Sequence, residues 1–307
     1  MKKYFVSFLA LLVLGSCSTG DTAMSKMMGG GSNALVFHGS KAVSEDEIEF
    51  TFSRSVTVKY LSLKPDISVV SVDNGRTVRV KLEQIPAPGS LITADLLVED
   101  ERRNTINVLV TLRSRNNRMP DLVINELCTE YTSSTGRTEF IEFKMRSAGN
   151  LGAMRVFIIG NSNASRQTVY EFSPAEVRNG DYVVLHLRTL DANAAVVPRE
   201  YRIPGNTKLF HKTAMVYVMD QDDRILNAVM ISENPEQPWP KDYFAETADF
   251  LIAEGAWNGK AALSTGTTAT RTICRDETKT NTNSAADWYV TVTSGATPGG
   301  QNNTRRY

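Results

Sequence analysis

"SAADWYVTVTSGATPGGQNN" spans Ser284 to Asn303 and runs an alternating strand into a chain breaker. Trp288, Val290 and Val292 fall on one face of a β-strand, because side chains alternate with period two. Pro298 has no N–H for a ladder and stops the strand, while Gly299 and Gly300 allow a sharp exit. This is the ending of a sheet with a locking turn, and the same alternation recurs upstream.

From Ala34 to Arg113 the pattern repeats. Ile48, Phe50 and Phe52 alternate with Glu47, Glu49 and Thr51. Val78, Val80 and Leu82 alternate with Arg79 and Lys81, and Ile106, Val108, Val110 and Leu112 with mainly polar residues. These are half-buried antiparallel strands. Asn74-Gly75, between Ile67–Val72 and Thr77–Leu82, predicts a type I′ hairpin turn. Short strands with turn signals over such a length make a sandwich. "EFTFSRSV" (Glu49–Val56), "NGRTVRV" (Asn74–Val80) and "PGSLITADLLVEDERRN" (Pro88–Asn104) resemble the bacterial immunoglobulin-like domain. Arg103-Asn104 stands where that family has Gly-Asn.

Residues 114–120 read as a linker closed by Pro120, with Arg113, Arg115 and Arg118 near it. With no aromatics between them, these arginines read as a solvated stretch and not as a phosphate site. Past it, "LVINEL" (Leu122–Leu127), "TEFIEFKMRSAGNLG" (Thr138–Gly152), "NGDYVVL" (Asn179–Leu185) and "TICRDETKTNTNSAADW" (Thr272–Trp288) lead to the closing "ATPGGQN". These blocks, in this order, resemble the bacterial lamin-tail domain. The resemblance implies an immunoglobulin-like β-sandwich over residues 121–307, with Glu126, Glu139 and Glu142 belonging to the framework and to no known catalytic role. Leu151-Gly152-Ala153-Met154 replaces that family's Ser-Gly-Trp. The expected fold is therefore all-β: two immunoglobulin-like sandwiches, 34–113 and 121–307, the second lamin-tail-like with a helical insertion.

That insertion is Lys241–Glu254. Tyr243, Thr247, Phe250 and Leu251 have helical spacing, and Gly255 is a suitable stop. Trp239, Tyr243, Phe244 and Trp257 gather around it, as partner-binding anchors or as a cover for an open edge or end of the sandwich.

The N-terminus predicts export. Lys2 and Lys3 precede an apolar stretch, Tyr4–Leu14, too short for a span that needs about 20 residues, so residues 1–16 read as a signal peptide. Leu14-Gly15-Ser16-Cys17 resembles a lipobox. The resemblance implies that Cys17 is acylated and that the lipid bilayer is the first partner. Residues 17–33 read as a flexible tether. Ser18, where many Gram-negative lipoproteins kept at the inner membrane have Asp, favours the outer membrane. Lys plus Arg and Asp plus Glu both number 34, and without Lys2 and Lys3 the balance is about −2. Bulk charge steers toward neither nucleic acid nor anionic lipid.

The residues give little catalytic signal. His38, His186 and His211 are scattered and outside His-Glu-x-x-His or Gly-x-Ser-x-Gly surroundings. Asp220, Asp222 and Asp223 could offer oxygens to calcium but lack the Gly and distal Glu of an EF-hand loop, so no metal and no cofactor is assigned. Cys128 and Cys274 are either a disulfide or two buried thiols. The function these features favour is a non-enzymatic, lipid-anchored envelope protein that binds or tethers a protein or envelope component. The competing reading is an accessory module of extracellular nucleic-acid or glycan hydrolysis, or a nucleic-acid adaptor.

Overall fold

The computed structural model describes residues 34–130, 139–160, 166–188, 199–203, 212–234 and 236–307. The segments expected to be a leader and a tether, residues 1–33 with Cys17, and His211 lie outside them. The described chain is all-β apart from one α-helix and one short 3-10 turn.

The first core is enclosed by β1 (Phe37–Ser44), β2 (Glu47–Lys64), β3 (Val69–Asp73), β4 (Gly75–Leu82), β5 (Leu91–Asp100) and β6 (Thr105–Arg113). They form one sheet in the order β3-β4-β2-β5-β6, with β1 also on β2. The 18-residue β2 folds this sheet over: Glu47–Thr51 pairs with β4, and Val56–Lys64 pairs with β5. The alternating residues Ile48, Phe50, Phe52, Val78, Val80 and Leu96 meet inside, all fully buried.

Two turns differ from expectation or explain it. Asn74-Gly75 is not a two-residue I′ turn, because Asp73 pairs with Arg79 and Asn74 lacks the positive φ that turn requires. The Asn74 side chain instead accepts a hydrogen bond from the Val58 N–H at 2.8 Å, fastening a wider loop to β2. At the β5–β6 turn, Arg103 adopts φ +63°, the conformation that glycine takes at no steric cost. Asp100 holds this turn by accepting from the Arg102 and Asn104 N–H groups and from Asn104 Nδ2.

The second core lies between two sheets. One is built from β7 (Leu122–Cys128), β8 (Phe140–Met145), β13 (Tyr182–His186), β14 (Glu200–Arg202), β18 (Ile273–Arg275) and β19 (Trp288–Val290), in the order β14-β13-β8-β7-β18-β19. The other contains β10 (Arg155–Ile159), β11 (Thr168–Glu171), β15 (Ala214–Met219), β16 (Ile225–Ser232) and β17 (Ala262–Leu263), in the order β11-β10-β15-β16-β17. A small ladder joins β9 (Gly149–Asn150) to β12 (Glu176–Val177). Ile124, Leu127, Ile141, Phe143, Val183 and Ile273 fill the space from one side, and residues of β10, β15 and β16 from the other. Tyr170, Phe172 and Tyr201 pack ring to ring where the edge strands β11 and β14 approach.

Helix α1 (Asp242–Ala253) buries Phe244, Thr247, Ala248 and Leu251, and turns out of the helix at Gly255 with φ +70°. It covers a sheet face and not an edge or end. Tyr217 of β15, stacked on Phe157 of β10 at 4.7 Å, meets Phe250 of the helix edge-on at 6.3 Å. All of β15 is buried, so both faces of that sheet are covered.

Residues 114–120 are not a solvated linker. Arg115 makes a two-pronged ion pair with Asp222 at 2.5 and 2.6 Å, and Arg118 makes another with Glu176 at 3.0 and 2.6 Å. The buried Asn116 side chain donates to the carbonyls of Asn150 and Gly152 at 2.9 and 2.7 Å. The Pro88-Gly89 loop beside β5 then lies backbone to backbone on Gly152, where an added Cβ would come within 2.0 Å of the Pro88 carbonyl oxygen. The departure Leu151-Gly152-Ala153-Met154 thus has a reason: Leu151 and Met154 fill the core while Gly152 receives the first sheet unit.

Candidate functional site

Strand alternation puts Ile124, Leu127, Ile141 and Phe143 inward, so Glu126, Glu142 and Lys144 point to the opposite face of the six-stranded sheet. Glu126 and Glu142 are direct cross-strand partners, and the register slips beside them at Asn125. An outward face would ordinarily be wet. Here Asn125, Glu126 and Glu142 are all 0% exposed, because the chain after β19 returns across them.

This strap, Thr297–Asn302, is held by carboxylates. Glu126 accepts from the Thr297 N–H at 3.1 and 3.2 Å and from its hydroxyl at 3.2 Å, and also from the Thr272 hydroxyl. Glu142 accepts from the Gly299 N–H at 2.6 Å and from Asn125 Nδ2 at 2.9 Å. Glu277 accepts from the Asn302 N–H at 2.9 Å, Asn125 Nδ2 at 3.0 Å, the Tyr182 hydroxyl at 3.0 Å and Lys144 Nζ. Asn302 closes the strap by donating to the carbonyls of Asn125 and Arg275 at 3.0 and 2.9 Å. The closing motif is therefore more than a last strand. Beyond it Arg306 bridges back to Thr291, and the Tyr307 N–H reaches the Val290 carbonyl.

The electrostatics follow from burial. Loss of water pushes the Glu142 carboxyl up to about 8, with Glu126 and Glu277 adding like charge. Burial also raises Glu126, partly offset by the bonds from Thr272 and Thr297. Burial would raise Glu277 too, but bonds from Lys144, Asn302 and Asn125 outweigh it and hold this carboxyl below its ordinary range. Burial thus raises two of the three acids, Glu142 furthest, while the third stays the ionised neighbour of an ammonium.

The aromatic residues expected as anchors are arranged differently. Phe244 is 0% and Trp257 2% exposed, so neither can meet a partner without opening the core; both are core residues and not surface anchors. Trp257 Nε1 donates to the Lys260 carbonyl at 3.1 Å, satisfying its one polar atom. Trp239 and Tyr243 flank Phe244 and stay partly exposed.

Asp220, Asp222 and Asp223 form a tight turn whose charges are already engaged. Asp220 accepts from the Asp222 and Arg224 N–H groups and from Arg224 Nε, Asp222 binds Arg115, and Asp223 binds Arg155 at 2.7 Å. Among the described residues no group of three or more His, Cys, Asp or Glu has the geometry to hold a metal ion. His38 is exposed, whereas His186 lies against Phe140 and Glu200, its pKa lowered by burial. Cys128 and Cys274 are buried thiols and are not joined in a disulfide.

Sequence reasoning gave Glu126 and Glu142 to the framework and assigned no role to Asn125, Glu277 and Asn302, which stand inside the blocks that carry the resemblance. A polar residue inside an apolar strand, as in Leu122–Leu127, was the available signal.

Comparison with known proteins places the second half of the chain. The family TP_1001_2nd, described as a protein second domain, matches residues 120–198 and 199–290, together more than half of the chain. Among curated proteins no sequence matches. Among the solved structures similar to it, two share 11% identity with this chain. The N-terminal part of the bacterial S-layer protein SbsC matches with TM-score 0.26, over 64% of this chain and 43% of that one. Domains 1–6 of the surface layer protein SbsC match with TM-score 0.25, over 66% and 42%. The chain thus spans less than half the length of these structures, and a likeness at this level carries nothing of their role to it.

Proposed function

The chain belongs to the TP_1001_2nd family, and we propose that it is a non-enzymatic, lipid-anchored protein of the bacterial cell envelope that holds or tethers a protein or envelope component. In this reading the second sandwich is of the lamin-tail kind, residues 34–113 and 121–307 are its two domains, and acylated Cys17 fixes it to a membrane, preferentially the outer one. The observation that supports it best is the burial of Glu126 and Glu142. A carboxylate pair that could serve acid/base chemistry is closed beneath the strap, where no dissolved substrate reaches it. Partner contact then falls to exposed sheet surfaces and to Trp239 and Tyr243, the two of the four expected anchors that keep accessible area.

The test is metabolic labelling with radioactive palmitate in the native host. Wild type is expected to carry label and to fractionate with membranes, and Cys17→Ala to lose both. An unlabelled, soluble wild-type protein contradicts the anchor. Cleavage of nucleic acid or glycan by the purified protein, with or without divalent cations, contradicts the non-enzymatic reading.

A further inference from the structure

We propose that Lys144 and Asn125 join in an intramolecular amide bond between β7 and β8, formed by the chain itself once the strap has closed. The two groups already share a carboxylate. Glu277 accepts from Lys144 Nζ on Oε2 and from Asn125 Nδ2 on Oε1 at 3.0 Å, so the amine and the amide meet at one acid. A second acid sits on the departing nitrogen, since Glu142 Oε1 lies 2.9 Å from the same Nδ2. Lys144 and Asn125 are on neighbouring strands, with Lys144 opposite Val123 and Asn125 in the adjoining register slip. Asn125 is fully buried, yet its Oδ1 has no hydrogen-bond partner. A buried carbonyl oxygen left unsatisfied is uncommon, and nothing in strand pairing accounts for this one.

The chemistry balances without an outside reagent. Glu277 takes one proton from the Lys144 ammonium, and the freed Nζ lone pair attacks Asn125 Cγ. The Cγ–Nδ2 bond breaks as Glu142 delivers its proton to Nδ2. The second proton of Nζ returns to Glu142, and the departing ammonia takes the proton held by Glu277 and leaves as ammonium. An ammonium and a carboxamide have become an amide and an ammonium ion, with both acids restored.

The environment suits this division of labour. Glu277, held ionised by its donors, is the base, and Glu142, kept protonated by burial, is the acid. The strap excludes water from Asn125, and the shared carboxylate turns a collision into a step within one molecule. Tyr182 adds a wall, with Lys144 Nζ 5.3 Å from its ring centre and its hydroxyl on Glu277 Oε2.

Peptide mapping of the full chain decides the matter. After trypsin, the wild type is expected to give one branched peptide in which residues 119–137 are joined to 138–146, uncut after Lys144 and lighter by one ammonia than its two parts. Lys144→Arg should give only separate peptides. Glu277→Gln should slow joining by about a hundredfold or more, the usual worth of a positioned base. Circular dichroism confirms that each variant is folded, and the wild-type digest decides even if a variant is not. Separate wild-type peptides with cleavage after Lys144 overturn the proposal. Loss of ammonia that persists in Lys144→Arg also overturns it, because it would come from another asparagine.

Discussion

The sandwich has two outer faces, and the chain covers them by opposite means. Over the five-stranded sheet, α1 and the segment after it bring Phe244, Ala248, Leu251 and Trp257 against an apolar surface. That contact is non-directional and is stabilised by area removed from water. Over the six-stranded sheet, the strap meets Glu126, Glu142 and Glu277 through its own N–H groups and hydroxyls. That contact is directional, and each buried acid requires its donors. The difference teaches that an apolar lid tolerates imprecision, whereas a polar lid fixes register but ties stability to protonation.

Breaking the apolar lid should give the largest effect. Trp257→Ala or Phe244→Ala removes a fully buried ring and is expected to cost about 3–5 kcal/mol, read as a lower midpoint in urea unfolding. Breaking the polar lid should cost less but act more locally. Glu126→Ala orphans the donors of Thr272 and Thr297 at about 1–3 kcal/mol for a buried group left unpaired, with the loss concentrated in the strap.

The third contrast is pH. The folded carboxyl of Glu142 lies near 8, above its ordinary 4.5. A raised carboxyl contributes stability that is full below the unfolded value and is lost as pH rises through the folded one. Urea midpoints should therefore fall between pH 5 and pH 9, by at most about 1.4 kcal/mol per pH unit for this one group. Glu142→Ala should flatten that slope, and Trp257→Ala should leave it unchanged. The smallest effect is expected for Thr297→Val, which keeps the N–H but loses the hydroxyl bond to Glu126, at about 1 kcal/mol.

Much of the apolar side could be read from residue order. Period-two runs gave the strands of the first sheet unit, and helical spacing gave α1 to within a residue or two at each end. The fully apolar "AMVYVM" of β15 reflects a strand covered on both faces. What periodicity cannot show is which partner a polar residue finds. Glu277 and Asn302 look like ordinary loop residues until folding brings them to Asn125, 152 and 177 positions away in the chain. For the same reason the arginines of residues 114–120 looked solvated, since Asp222 and Glu176 are distant in sequence. Phe244 and Trp257 looked like anchors because an aromatic cluster has the same composition on a surface and in a core.

The central claim, that buried carboxylates on the sheet hold the strap down, is tested most directly by amide hydrogen exchange at pH 6 in wild type and Glu126→Ala. The account predicts that the Thr297 and Gly299 amides are protected in wild type and exchange freely in the variant, while the amides of β15 keep their protection. Equal protection of the strap in both proteins would contradict it.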